Sequence, residues 1–197
     1  PEINLNLLPG YGGTQRLVRK LHRRRGEAGM AEALRLMVSG RNISTSEAVD
    51  CGLVDEVVTE AAASPVEVAM ARLRDYFANS GPLAAAQDEH KKALTARDEA
   101  IPYSEAILEQ PALRQALAQI RASGREKQVA RVLDAVAVGA EKGQSAGLLH
   151  EAELFAEAVC DPESGPTGIT AFLEKRSAPL PTQYAEVAPT ASGQQVD

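Results

Sequence analysis

The amino-terminal residues place a carboxylate directly before a glycine-rich turn and the start of a helix. Glu2 precedes residues 3–7, whose alternating apolar and polar side chains predict a short, half-buried strand. The Pro-Gly pair at 9–10 ends that strand, the glycines at 12–13 allow a close approach of the backbone, and Thr14 begins a helix. Unpaired N–H groups at a helix start can hold a water, a carbonyl oxygen or a phosphate. A carboxylate beside such a turn is a candidate for proton transfer.

Other common catalytic arrangements are missing from the sequence. The histidines His22, His90 and His150 have neither HxxxH nor HExxH spacing, so no metal site is predicted. The sequence contains no Walker A loop. Cys51 and Cys160 lack CxxC spacing and are expected to be reduced, buried residues rather than a disulfide.

The composition indicates a folded, acidic protein. The chain has 197 residues, of which 44% are hydrophobic, and this fraction is sufficient to form a core. Its formal net charge of −6 argues against a nucleic-acid-binding protein. No apolar run approaches the ~20 residues needed to span a bilayer. We therefore expect a soluble, cytoplasmic protein that binds neither nucleic acid nor membranes.

Helices are predicted for most of the chain after the glycine turn. Residues 14–25 and 28–39 are expected to form two helices, and residues 53–58 a strand. The segments STSE at 44–47 and SPVE at 64–67 match the capping box, in which a serine and a glutamate side chain each bond the backbone N–H of the other.

Apolar residues at helical spacing predict the buried faces of the later helices. Breaks are expected at Gly124 and Gly143. The predicted faces comprise Leu113, Ala116, Leu117 and Ile120; Val129, Val132, Leu133, Val136 and Ala140; and Leu148, Ala152, Phe155 and Val159, after an earlier helical series of Val66, Met70, Leu73 and Phe77.

Three sequence blocks, in order, resemble the enoyl-CoA hydratase/isomerase (crotonase) family. The opening PEINLNLLPGYGGTQRL matches the family pattern P-E-x-x-L-G-x-x-P-G-x-G-G-T-Q-R-L, with Asn6 where most members have glycine. The second block is SGRNISTSEA at 39–48 followed by GLVDEVV at 52–58, and the third is GITAFLEKR at 168–176. The resemblance implies an α+β crotonase fold, of which this chain supplies the mostly α-helical carboxy-terminal portion.

The resemblance also implies roles for individual residues. Glu2 matches one of the two acid/base carboxylates of the family, and Gly10 matches the position whose N–H helps hold the catalytic water. Phe172 and Lys175 match the helix that reaches the nucleotide end of coenzyme A, often in a neighbouring subunit, and Phe155 is expected to join them. The alternatives are an exposed terminal Glu2, a simple turn at Gly10, core packing for the phenylalanines and a surface role for Lys175.

A dense basic cluster follows the turn in this otherwise acidic chain. The cluster could attract the phosphates of coenzyme A. The alternative is a solvated helix face that pairs with Glu27 and Glu32. Its members are Arg16, Arg19, Lys20, Arg23, Arg24 and Arg25.

The expected reaction is the addition of water to an α,β-unsaturated acyl-CoA. Coenzyme A would enter as part of the substrate, and no separate cofactor is implied because backbone N–H donors stabilise the thioester enolate. The wording NLNLLPGYGG and the long helical stretch before residue 148 resemble the ring-opening branch, the 6-oxocyclohex-1-ene-1-carbonyl-CoA hydrolases. The alternatives are an enoyl-CoA isomerase and a non-catalytic helical module for oligomerisation or partner binding.

The resemblance divides the chain into three regions. Residues 1–60 would end the crotonase spiral core, residues 61–176 would form a helical oligomerisation region with extra helices, and residues 177–197 would be a mobile tail. Because Pro1 falls within the family motif, the chain is expected to act with an upstream half of the same enzyme. Family members form trimers or hexamers, so a homo-oligomer is expected.

Overall fold

The computed structural model describes residues 2–54, 57–58, 64–79 and 96–177, and the regular elements within these ranges are helical. This confirms the mostly helical prediction. The predicted tail lies outside the described residues apart from Ser177, which ends the last helix. The α-helices are α1 (Gly13–Ser39), α2 (Thr45–Asp50), α3 (Pro65–Asn79), α4 (Pro111–Ala122), α5 (Glu126–Lys142), α6 (Gln144–Cys160) and α7 (Gly165–Ser177), and 3₁₀ helices span Glu2–Leu5 and Glu105–Glu109.

The strand predicted at residues 3–7 is wrong, because this segment begins within the first 3₁₀ helix. The Leu7 N–H donates to the Glu2 carbonyl at 3.0 Å, and the Asn6 N–H donates to the Ile3 carbonyl at 3.2 Å. The backbone groups are thus satisfied within the segment itself. Ile3 and Leu7 are nevertheless buried, so the alternation of apolar residues does reflect burial.

The departure from the family motif at Asn6 has a conformational explanation. Asn6 adopts a φ of 58°, in the left-handed region that glycine enters without strain. Asparagine is among the few other residues that visit this region routinely. Asn6 can therefore adopt the left-handed turn that a glycine at this position would make without strain.

The strand predicted at residues 53–58 is also wrong for the part that the structure describes. Leu53, Val54, Val57 and Val58 have no strand assignment, and residues 55–56 lie outside the described ranges. The N–H groups of Leu53 and Val54 donate to the Ala48 carbonyl, at 2.8 and 3.1 Å. They therefore close the end of α2 instead of joining a sheet.

Helix α1 contains the predicted break between its two halves. Gly26 has φ 57° and ψ −140°, which interrupts the helical path between residues 14–25 and 28–39 as the sequence predicts. A residue with a Cβ would be strained at this φ, so glycine allows the second half to change direction.

The core lies between α1, α4 and α5. The apolar faces predicted for α4 and α5 are confirmed except at Leu133, which is half-buried. Leu113, Leu117, Val129, Val132 and Val136 are at most 4% exposed. They pack with the buried residues of both halves of α1. Full burial of each such side chain contributes about 1.5–3 kcal/mol.

The buried face predicted for α6 is wrong in its register. Ala152 and Val159 are exposed, and Leu148 and Phe155 are half-buried. The residues that face inwards are Gly147, Glu151, Leu154 and Ala158. The prediction failed because it excluded a charged residue from the buried face.

Both capping boxes are confirmed. Ser64 and Glu67 bond each other's N–H groups at 3.2 and 2.9 Å at the start of α3, whose apolar series of Val66, Met70, Leu73 and Phe77 is exposed. Cys51 and Cys160 are both free thiols, as predicted, but only Cys51 is buried. Among the described residues, none of the helices combines the length and hydrophobicity that crossing a membrane requires.

Candidate active site

Glu2 borders a cavity of about 290 Å³ between the first 3₁₀ helix, the two halves of α1 and the loop before α2. Most of the lining side chains are apolar. Glu2 itself is half-buried. A small apolar cavity with a few polar groups is typical of a ligand site. The other lining residues are Pro9, Gly13, Leu17, Leu36, Met37, Arg41, Ile43 and Leu53.

Arg41 is the basic residue among the described lining residues of the cavity. Its Nη2 lies 2.6 Å from Oε1 of Glu47, which also caps α2. The hydrogen bond from Arg41 is the main reason that the pKa of Glu47 falls to about 2. The positive charge of Arg41 therefore has a permanently ionised partner at neutral pH.

The structure brings together two predicted site residues that are far apart in sequence, Gly10 and Phe155. A Cβ at Gly10 would lie 2.3 Å from a ring carbon of Phe155, so the ring rests directly on the turn. Phe155 is half-buried and packs against the core. This placement supports the packing interpretation of Phe155, and a contact with coenzyme A stays a prediction.

Phe172 and Lys175 both lie on α7 and are exposed, Phe172 by 41%. Helix α7 packs against the 3₁₀ helix that carries Glu2, and the two backbones approach closely where Gly168 meets Leu5. The two side chains are therefore accessible for binding, and their role toward coenzyme A stays a prediction.

The most deeply buried carboxylate near the turn belongs to Glu151 on α6, which is 1% exposed. Its Oε1 accepts the Gly12 N–H at 2.5 Å, and its Oε2 accepts the Thr14 N–H at 3.0 Å. The hydroxyl of Thr14 also donates to Oε2. Glu151 thus caps the start of α1 from another helix.

This cap corrects the expectation that the start of α1 offers unpaired N–H groups to a ligand. The N–H groups of Gly12 and Thr14 are bonded to Glu151, whose negative charge also suits the positive end of the helix dipole. A buried side chain of the protein therefore occupies the position where we expected an external anion or carbonyl oxygen.

A second buried polar side chain completes the network around the helix start. The Nε2 of Gln15 donates to the Thr14 hydroxyl and to the Ala135 carbonyl, both at 2.8 Å. Its Oε1 fits against the backbone of Gly139 and Gly147, where an added Cβ would lie 1.6 and 2.3 Å from it. Glycine at these positions lets α5 and α6 close around the side chain.

Sequence reasoning missed Glu151, although the sequence contained a signal for it. Glu151 shares one helical face with Gly147, Leu154 and Ala158, at spacings of three and four residues. A carboxylate in the centre of such a face needs hydrogen-bond donors, because burying an unpaired charge is very costly. The partners could not be named, since they lie 137 and 139 residues away.

Five members of the basic cluster line one groove of about 440 Å³, together with Gln144. Arg19 is buried, and its guanidinium donates to the carbonyls of Glu99 at 2.8 Å and Gly139 at 2.6 Å. This burial lowers the pKa of Arg19. Arg19 therefore ties α1 to α5. The lining members are Arg16, Arg19, Lys20, Arg23 and Arg24.

The pairing of the basic cluster with Glu27 and Glu32 stays a prediction. Glu32 pairs with Arg35 at 2.5 Å, one turn away on the same helix. Within the described ranges, His, Cys, Asp and Glu side chains do not gather in a group of three or more that could hold a metal ion.

The chain is similar to alpha subunits of fatty acid oxidation complexes. It is 34% identical to that of Shewanella amazonensis over 166 residues, and 32% identical to that of Idiomarina loihiensis over 164 residues. Each match covers 83% of this chain but only 21% of the relative. The chain therefore spans about one fifth of the length of these curated relatives. No family model matches it.

Proposed function

We propose that this chain is part of a crotonase-type acyl-CoA enzyme that adds water to an α,β-unsaturated acyl-CoA. The observation that carries the proposal is the position of Glu2 at the edge of the apolar 290 Å³ cavity. The cavity can receive part of an acyl chain, and Glu2 provides an acid/base group beside it.

In the proposed reaction, Glu2 acts on a water molecule held by the N–H of Gly10. Glu2 removes a proton from the water as its oxygen bonds the β carbon of the enoyl group. A second carboxylate delivers a proton to the α carbon, and backbone N–H donors stabilise the intervening enolate. We assign this second carboxylate and the donors to an upstream half of the enzyme. Coenzyme A is part of the substrate.

The relatives support an acyl-CoA substrate, since they are subunits of complexes named for fatty acid oxidation. Their name offers no support for the ring-opening branch. That branch stays a prediction from the NLNLLPGYGG segment and the long helical stretch before residue 148. We further propose that residues 1–60 complete the site and that the helices within 61–176 serve a homo-trimer or hexamer. In that assembly Phe172 and Lys175 would bind the nucleotide end of coenzyme A.

The test is Glu2→Gln in the enzyme expressed with its upstream region. This change keeps the shape of the side chain and removes its ability to exchange a proton. Because general acid–base catalysis contributes ~10²–10⁴-fold, the turnover number for crotonyl-CoA should fall by that factor. The dissociation constant of the acyl-CoA should change little. Glu27→Gln, an exposed change on α1, is the control. A turnover number for Glu2→Gln within threefold of the parent would exclude the role.

Isomerisation of an enoyl-CoA double bond is the second candidate, since it needs fewer catalytic groups than hydration. Glu2 is the only carboxylate among the described residues that line the cavity. A single carboxylate suffices to move a proton between two carbons, whereas hydration must also activate water. Product analysis separates the two, because hydration yields a 3-hydroxyacyl-CoA and isomerisation yields an enoyl-CoA of unchanged mass.

A further inference from the structure

Helix α6 holds the turn that carries Gly10 through one buried carboxylate. We propose that Glu151 is a positioning residue for the hydration: it fixes the turn at residues 10–14 and thereby the Gly10 N–H that holds the attacking water. This inference rests on the proposed function, and it names a residue outside the family motif at residues 1–17.

The bonds from Glu151 are directed at the turn itself. Gly12 lies two residues after Gly10, and its N–H donates to the carboxylate at 2.5 Å. The Thr14 N–H and hydroxyl donate to the other carboxylate oxygen. Three donors on a short stretch of backbone therefore meet one side chain that is 1% exposed. Bonds to an ionised acceptor are shorter and about twice as strong as neutral ones.

Two further side chains of α6 hold the same turn on either side of Glu151. A Cβ at Gly10 would meet the Phe155 ring at 2.3 Å, and a Cβ at Gly12 would meet the Leu148 side chain at 2.9 Å. Leu148, Glu151 and Phe155 are spaced three and four residues apart, on one side of α6. The helix thus packs against the turn at Gly10 and Gly12, while Glu151 bonds it at Gly12 and Thr14.

The carboxylate is itself held in place. Gln15 is 2% exposed and donates to the Thr14 hydroxyl and to the Ala135 carbonyl of α5, both at 2.8 Å. Because the Thr14 hydroxyl accepts the bond from Gln15, its own proton is available to donate to Glu151. This chain of bonds connects the turn to the packed helix pair α5–α6, so the turn has a rigid support.

An amide cannot replace the Glu151 carboxylate. Glutamine has one acceptor oxygen and an NH₂ group, whereas the turn presents donors to both oxygens of Glu151. In Glu151→Gln, at least one of the N–H groups of Gly12 and Thr14 would face another donor and lose its bond. The turn should then shift or become mobile, with little change in the volume of the side chain.

The experiment compares Glu151→Gln with Glu157→Gln in the enzyme expressed with its upstream region, using crotonyl-CoA as the substrate. Glu157 is exposed on the same helix, so its change is chemically identical but remote from the turn. The measurements are the turnover number per folded enzyme, KM, and hydrogen exchange at the amides of Gly12 and Thr14. A misplacement of about 1 Å can cost roughly 10²-fold in rate. We expect that loss for Glu151→Gln, with KM within threefold and faster exchange.

The other outcomes contradict the inference, and they differ in whether the proposed function fails as well. If exchange accelerates while the turnover number stays within threefold of the parent, Glu151 holds the turn but does not position the water, and the inference fails alone. If turnover falls without faster exchange, the inference also fails. If the parent enzyme itself does not hydrate crotonyl-CoA or a longer enoyl-CoA, the proposed function fails, and the inference fails with it.

Thr14→Val provides a second variant in case Glu151→Gln does not fold. Valine keeps the shape and the N–H of Thr14 but removes the hydroxyl that donates to Glu151. Loss of this one bond should lower the turnover number about fivefold at unchanged KM. Thr14→Ser keeps the hydroxyl and should restore the parent turnover number. Equal turnover numbers for the valine and serine variants would overturn the inference.

Discussion

The starts of α1 and α2 are both capped by a glutamate, but the glutamate at α2 is close in sequence and the glutamate at α1 is far away in sequence. At α2, Ser44 and Glu47 bond each other's N–H groups within four residues, at 3.2 and 2.9 Å. At α1, the N-cap residue is Gly12, which has no side chain, and the acceptor is Glu151, 139 residues away. Both arrangements satisfy N–H groups that a helix leaves unpaired.

The difference shows how the two helix starts are stabilised. The cap of α2 is exposed and is made by neighbours in sequence, so its bonds do not require another helix to be in place. The cap of α1 exists only when α6 is in place, and it lies beside the turn that carries Gly10. The geometry of the candidate site is therefore linked to the packing of α6.

The largest effect on stability is expected from Glu151→Ala. This change leaves the N–H groups of Gly12 and Thr14 and the Thr14 hydroxyl without their acceptor inside the protein. Each buried unsatisfied donor costs about 1–3 kcal/mol. The free energy of unfolding should fall by about 3–5 kcal/mol in denaturant titration. A loss under 1 kcal/mol would mean that the cap of α1 contributes no more than a local one.

A smaller loss is expected from Gly147→Ala, which tests the support behind the α1 cap. The new methyl group would lie 2.3 Å from Oε1 of Gln15 and 2.6 Å from Cα of Gly139. Overpacking of this kind costs about 1–3 kcal/mol. On an unconstrained helix the same change would stabilise the protein by up to ~1 kcal/mol, because alanine is the better helix former. A fall in the free energy of unfolding would show that the methyl group is overpacked against Gln15 and Gly139, and a rise would show that the position is unconstrained.

The smallest effect is expected from Ser44→Ala in the local cap. Removal of a serine cap typically costs about 1 kcal/mol. The free energy of unfolding should fall by about that amount, and enzyme turnover should fall less than in Glu151→Gln, because Ser44 bonds Ser46 and Glu47 whereas Glu151 bonds the turn itself. A turnover loss as large as that of Glu151→Gln would show that the two caps do not differ in their connection to the site.

The local cap should also resist acid. The Arg41 hydrogen bond holds the pKa of Glu47 at about 2, below its ordinary value of 4.5. A lowered pKa in the folded state stabilises the protein above the ordinary value, and this contribution is lost as the pH falls toward 2. The difference in stability between the parent and Glu47→Gln should therefore be constant above pH 4.5 and shrink below it. A difference independent of pH would contradict the lowered pKa.

The sequence predicted those features whose causes are local. The break in α1 follows from Gly26, both capping boxes follow from a serine and a glutamate three residues apart, and the core faces of α4 and α5 follow from their apolar spacing. The two predicted strands failed for the opposite reason. The alternating pattern at residues 3–7 does indicate burial, but a strand also needs a partner strand to bond its backbone, and neither predicted segment identifies one.

The candidate site likewise has features with local causes and features that depend on tertiary packing. The sequence by itself determined that Glu2 precedes a glycine turn and a helix, because residue order sets these neighbours. Only the tertiary structure decided that an apolar cavity adjoins Glu2, that Phe155 rests on Gly10, and that Glu151 faces inwards. The physical reason is that a buried carboxylate is stable only where donors surround it, and these donors come from a segment more than 130 residues away.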